Sequence, residues 1–131
     1  YSGKYATVDD MMKRAVGDAG IAAYLGTADM REVNKMIENG DENAKLVKEA
    51  FIYQHAKDIG SLSVVMKGKV DAILLTGGIA YGKDITDAIA SYTEWIAPVV
   101  VIPGEREMIA LAQGALRVLN GEEEAKEYEA W

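Results

Sequence analysis

No cysteine occurs in the 131 residues, which excludes a disulfide framework and any thiolate metal site. There is one histidine, His55, and no motif ties a serine or aspartate to it, so a Ser/His/Asp arrangement has nothing to be assembled from. His55 falls mid-helix beside Gln54 and reads as a hydrogen-bonded helix-surface residue. Basic charge is scarce, with 14 Lys and Arg against 21 Asp and Glu and a net charge of −7. A chain that grips phosphate backbones needs clustered cations, so no nucleic acid is expected as partner. No apolar run approaches the roughly 20 residues of a membrane span, and Tyr1-Ser2-Gly3-Lys4 does not resemble a secretory signal. The reading is therefore a cytoplasmic protein with no membrane partner. The first residue is not Met, which suggests a chain that begins inside a longer protein. Two prolines and the absence of any repeat or low-complexity stretch leave no linker to divide it.

What remains is one domain's worth of chain with half its residues apolar, enough for a core. Val8 to Val16 has a helical pattern with Asp9-Asp10 at its amino end. Ile21 to Leu25 is apolar but too short for periodicity to type. A helix capped by Thr27 or Asp29 runs through Val33, Met36 and Ile37 to Asn39-Gly40. Asp41 opens the longest periodic segment, Glu42 to Lys67, with Gly68 as its stop. Ala72 to Leu75 is apolar without alternation, as in a strand buried on both faces. A helix from Asp84 to Tyr92 and a second buried strand, Ala97 to Ile102, complete a βαβ unit with parallel strands. A final helix from Glu105 to Leu119 sets Ala110 and Gly114 four apart, permitting close backbone approach to a neighbour, and Glu122 to Trp131 forms an acidic tail.

Parallel strands joined by one crossover deliver their following loops to the same edge, the usual ligand crevice of an open α/β sheet. Thr76 to Tyr81 and Pro103-Gly104-Glu105 are thus expected to border one crevice, where Gly77 and Gly78 let a ligand approach the backbone. Gly77 to Lys83 matches G-x-x-x-x-G-K, but Asp84 stands where the P-loop requires a hydroxyl for Mg²⁺. A degenerate P-loop would make Lys83 a phosphate ligand. Glu105 and Glu107 favour the dipole of the last helix, and from the crevice either would reach Mg²⁺ through water. Arg31 is either a surface ion-pair partner of Asp29 or a planar cation against a base or phosphate.

Several segments together resemble a known family. Ala23-Tyr24-Leu25-Gly26-Thr27-Ala28-Asp29-Met30-Arg31-Glu32-Val33, Phe51-Ile52-Tyr53-Gln54, Gly68 to Tyr81, Ile96-Ala97-Pro98-Val99, Pro103-Gly104-Glu105 and Leu111 to Leu119 resemble, in unbroken order, the carboxyl-terminal part of butyrate kinases. These are similar to acetate kinases and belong to the actin-like superfamily of two ribonuclease-H-like lobes closing on ATP and Mg²⁺. The resemblance implies an α/β fold, a partial ribonuclease-H-like lobe that is helix-rich with a βαβ unit. Residues 1–131 would be the carboxyl-terminal nucleotide-side lobe, incomplete at its amino end. It implies transfer of the γ-phosphoryl of ATP to butyrate or another short-chain carboxylate, reversibly, leaving ADP. Thr76, Gly77, Gly78, Ile79 and Ala80, with Tyr81 beyond them, look like the adenosine motif, and Asp29, Met30 and Arg31 like the Asp-x-Arg that lines the nucleotide site. The family holds phosphates in Asp- and Gly-rich hairpins with Arg and His residues from earlier segments, and none of these is present. No catalytic residue is therefore expected here, the isolated chain is expected to be inactive, and its partner is the missing amino-terminal lobe. The other readings are an acetate kinase relative and a non-catalytic module whose apolar helix faces serve assembly, homo-oligomers included.

Overall fold

The computed structural model describes residues 7–17 and 19–127; the expectations for Tyr1 to Lys4 and for the end of the acidic tail lie outside them. Six α-helices and two strands follow in the order α1 (Val8–Val16), α2 (Ile21–Leu25), α3 (Met30–Glu38), α4 (Glu42–Val65), β1 (Ile73–Gly77), α5 (Lys83–Thr93), β2 (Val99–Pro103) and α6 (Glu107–Leu119). A 3-10 turn, Gly78–Tyr81, links β1 to α5.

Capping chemistry sets most of these boundaries. Thr7 caps α1 by accepting from the Asp10 N–H at 3.1 Å. Asp29 rather than Thr27 caps α3, its carboxylate accepting from the Arg31 N–H at 2.9 Å. Thr27 accepts from the Asp29 N–H at 3.1 Å and donates its hydroxyl to the Glu32 carboxylate. After α3 the chain turns at Gly40, whose φ of 87° suits glycine, with the Asp41 N–H returning to the Met36 carbonyl at 3.0 Å. With the Gly40 N–H bonded to the Ile37 carbonyl at 2.9 Å, that 6→1 bond makes a Schellman stop. Asp41 then caps α4 through the Ala44 N–H at 3.0 Å. The helix ends at Val65, two residues before the expected Lys67, with the Gly68 N–H bonded to the Ser63 carbonyl. The untyped run Ile21–Leu25 is helical.

β1 and β2 are parallel, with Ile73 opposite Val99 and Gly77 opposite Pro103, as the βαβ pattern requires. One face of the sheet is roofed by α4 and α5. There Ile52, Ile85 and Ile89 form the buried cluster, with Met30, Phe51, Ile59, Leu75 and Ala88 packed against it. Full burial of a side chain such as Ile85 contributes roughly 1.5–3 kcal/mol. Val33 and Thr93 are also fully buried, and the Thr93 hydroxyl is satisfied by the Ile89 carbonyl at 2.9 Å.

The expectation of two-faced burial is not met. Leu74 is 59 % exposed, and Val100 and Ile102 on the same face are 42 % and 44 % exposed. Alternation of side chains puts these residues on the sheet face away from α4 and α5, and among the described residues nothing covers that face. Likewise α6, although apolar along Met108, Ile109, Leu111, Leu116 and Leu119, buries none of its residues.

Candidate functional site

Two cavities open between the helices and the strand-end turn. The larger, about 870 Å³, is lined largely by hydrocarbon from α2 and α4, with Gln54 and His55 among its polar groups. Gln54 donates to the Asp58 carboxylate at 2.9 Å, and His55 Nδ1 sits 2.8 Å from the Phe51 carbonyl, its exposed ring tilted against that of Phe51. This bears out the surface-histidine reading and leaves the cavity little with which to orient a ligand.

The smaller cavity, about 610 Å³, is lined by Ala28, Asp29, Met30, Arg31 and Asn34 on one side and by Gly78, Ile79, Tyr81, Gly82, Asp84 and Ile85 on the other. Six of the residues expected from sequence therefore share one cavity although they come from widely separated segments: Asp29, Met30, Arg31, Gly78, Ile79 and Tyr81. Thr76, Gly77 and Ala80 do not line it. Thr76 points to the uncovered sheet face, Gly77 makes the turn and Ala80 is buried beneath it, 4 % exposed.

The turn is held by backbone conformation. Gly77 has φ 83° and ψ −176°, a region open essentially to glycine alone. Gly78 needs no such freedom, and a Cβ built on it meets nothing within 4 Å. The absent side chain thus serves the open space rather than the fold. The two strand-end loops do meet, since the Gly104 N–H donates to the Gly77 carbonyl at 3.0 Å. The Tyr81 hydroxyl lies over Gly104, where a Cβ would approach it to 2.6 Å. Yet Pro103, Gly104 and Glu105 do not line the cavity. Its second wall is the start of α3, because α3 and α5 both pack on α4 beside the turn. The two strand-end loops thus share one edge as expected, but the cavity beside them is lined by the first loop and the start of α3, not by the second loop.

On the α3 wall, Asp29 and Arg31 form a fork. Arg31 Nε lies 3.0 and 3.1 Å from the two carboxylate oxygens, and Nη2 is 2.6 Å from Oδ2. The guanidinium hydrogen bonds hold the Asp29 carboxyl down at about 2 and raise Arg31 further above its usual range. The pair is open to solvent, with the Arg31 side chain 88 % exposed. Lys83, the cation of the P-loop pattern, pairs with Asp87 at 2.5 Å along α5 and does not line the cavity. Glu105 and Glu107 are exposed beside the amino end of α6. Among the described residues no three acidic or histidine side chains gather as a metal site. The residues present do not fit a protein cage for Mg²⁺.

Asn34 and Asp84 also line the cavity, and neither was named as a site residue from sequence. Asn34 lies three residues after Arg31, hence on the same helix face, which is the signal that would have found it.

The Acetokinase family model matches residues 2–97, well over half of the chain. The chain belongs to the acetokinase family. Over 128 residues, 98% of this chain, it is 52% identical to Butyrate kinase 2 of Clostridium acetobutylicum, of which it covers 36%. The crystal structure of Porphyromonas gingivalis acetate kinase matches 86% of this chain with a TM-score of 0.75 at 20% identity, covering 35% of that chain. This second likeness shows the fold alone, an α/β arrangement. The acetokinase-family chain described here thus spans little more than a third of the length of either relative. No helix among the described residues is long and apolar enough to cross a membrane.

Proposed function

We propose that this chain is the nucleotide-side part of a carboxylate kinase that exchanges a phosphoryl group between ATP and butyrate or a similar short-chain carboxylate. The observation that supports it is the convergence of Asp29-Met30-Arg31 with Gly78-Ile79 and Tyr81 around one cavity of about 610 Å³, a size suited to a small ligand. In this reading Gly78 and Ile79 admit the adenosine, Arg31 contacts ribose, base or phosphate, and Asp29 keeps Arg31 in place. Mg²⁺ would arrive with the nucleotide phosphates, which is how it is usually held; Glu105 or Glu107 would reach it through water. Phosphoryl transfer rests on positioning and charge stabilisation, and the groups that would supply it belong to the remaining lobe. The chain alone is accordingly proposed to bind nucleotide without catalysing transfer, and the uncovered sheet face and α6 are the surfaces that would meet that lobe.

Calorimetric titration of the chain with ADP tests this. Binding should be measurable, and Gly78→Val should weaken it at least about tenfold while leaving the fold intact. Equal affinity in the variant, or no affinity in the unaltered chain, would overturn the assignment. The uncovered apolar face supports a second reading, a non-catalytic assembly module; a defined oligomer in solution without ADP affinity would favour it.

A further inference from the structure

The two walls of the smaller cavity belong to different helices, and a side chain that lines neither wall joins them. Lys48, on α4, has a side chain only 14 % exposed and is not part of the lining. Its ammonium donates to Asn34 Oδ1 at 2.7 Å and to Asp84 Oδ2. Asn34 belongs to the α3 wall and Asp84 to the α5 wall. Between them the Asn34 NH₂ stands 3.4 Å from Asp84 Oδ2, longer than a usual hydrogen bond. The short polar bonds from one wall to the other thus run through Lys48.

Each end of this bridge is tied to its own wall. The Asp84 carboxylate also accepts from the backbone N–H groups of Asp84 and Ile85 in the first turn of α5. The Gly82 N–H, bonded to the Ile79 carbonyl at 3.0 Å, continues that start into the Gly78–Tyr81 turn. Asn34 follows Met30 and Arg31 by four and three residues, so it shares their face of α3. The two helices are not equally anchored by hydrocarbon. α5 is held by Ile85 and Ile89 against Ile52, whereas α3, nine residues long, buries only Val33, with Met30 partly buried against the cluster. Hydrophobic burial is non-directional, and hydrogen bonds from a charged donor are short and angle-dependent. The bridge supplies α3 with the direction that its thin apolar contact does not.

Stability alone does not call for a cation here. Withdrawing an ammonium from water carries a desolvation penalty that a hydrocarbon of the same length avoids. An ammonium has three donors and no acceptor, so it can take one oxygen from each wall at the same time. No apolar side chain does that. We propose that Lys48 is a positioning residue: by bonding Asn34 and Asp84 together it sets the separation of α3 from the start of α5, and with it the width of the cavity that receives the nucleotide. Its two partners act as parts of the wall, engaged with Lys48 and with each other, and need no contact with the ligand. The consequence for binding rests on the nucleotide-site reading, while the bridge itself does not.

The test uses the full 14.2 kDa chain by NMR, first without ligand and then with ADP. Residual dipolar couplings of the backbone amides report the orientation of α3 relative to α5. One rigid-body fit should satisfy both helices in the unaltered chain and in Lys48→Arg, which keeps donors for both oxygens, and should fail in Lys48→Met. In titrations of variants that retain a dispersed spectrum, Lys48→Met should bind ADP at least about tenfold more weakly, and Lys48→Arg should stay within about threefold of the unaltered chain. A Lys48 that only stabilises the fold would lower the denaturant midpoint of Lys48→Met and leave helix orientation and ADP affinity unchanged, which overturns the proposal. Reorientation with unchanged ADP affinity, or equal losses in Lys48→Met and Lys48→Arg, overturns it too while the nucleotide site stands. Should Lys48→Met not fold, Asn34→Leu decides, since it removes only the α3 end of the bridge; an unchanged orientation there is a refutation. Reorientation in a chain that binds no ADP even when unaltered removes the nucleotide site and leaves Lys48 as the group that spaces the two helices.

Discussion

On the sheet face that carries Ile73 and Leu75, the β1 side packs against the Ile52, Ile85 and Ile89 cluster of α4 and α5 while Val101 stays 40 % exposed, whereas on the other face Leu74, Val100 and Ile102 are 59 %, 42 % and 44 % exposed. Both sets are hydrocarbon, drawn from the same short strands, so hydrophobicity does not distinguish them. The difference lies in what is anchored. On the roofed side, burial of Ile85 to 1 % exposure fixes the start of α5 and with it Asp84 on the cavity wall. On the bare side the same kind of side chain fixes nothing within this chain. Stability and the candidate site are therefore concentrated on one half of the molecule.

The contrast is sharpest for volume. Ile85→Ala should destabilise by about 2–5 kcal/mol, as large-to-small core changes do. Ile102→Ser on the bare face should stay within about 0.5 kcal/mol. Denaturant midpoints at constant m-value would show this, and equal losses would erase the distinction between the two faces. At the turn between them, Gly77→Ala must force a side chain into the glycine-only region and should cost about 1–3 kcal/mol. Gly78→Ala, next in sequence but open on all sides, should remain within about 0.5 kcal/mol in thermal unfolding. Similar costs would mean that Gly78 is held for the backbone and not for a ligand.

The smallest expected effect is electrostatic. The Asp29 carboxyl is depressed from 3.8 to about 2 by Arg31, so the folded state binds a proton less readily than the unfolded one. Its contribution is complete above the unfolded value near 4 and disappears as pH falls toward 2. Asp84, lowered by Lys48, has the same sign. Acid unfolding followed by circular dichroism should be less steep between pH 4 and 2 in Asp29→Asn than in the unaltered chain. Because the Asp29–Arg31 pair is exposed, the gap should be small and should narrow further in salt.

Sequence patterns disclosed what depends on neighbours along the chain. Caps at Asp29 and Asp41, stops at Gly40 and Gly68, and the parallel strands all follow from local chemistry, and the segments around Asp29 and Gly78 could be matched to a family. Thr27 was a plausible cap because its hydroxyl has the right chemistry; the backbone favoured Asp29, and Thr27 turned to Glu32 instead. The Lys48, Asn34 and Asp84 cluster was not legible, because it exists only once α3, α4 and α5 are packed together. Nor could the unbroken apolar run at Ala72 to Leu75 reveal that one of its faces finds no cover within this chain.

Among the described residues the two-strand sheet has two open edges, each with a row of backbone groups available to pair with another strand. Here those edges flank uncovered Leu74, Val100 and Ile102. The net charge of −7 supplies repulsion between molecules that opposes such pairing. Purification in low salt and at modest concentration preserves that repulsion; concentrated or salted solutions favour edge-to-edge aggregation of the bare strands.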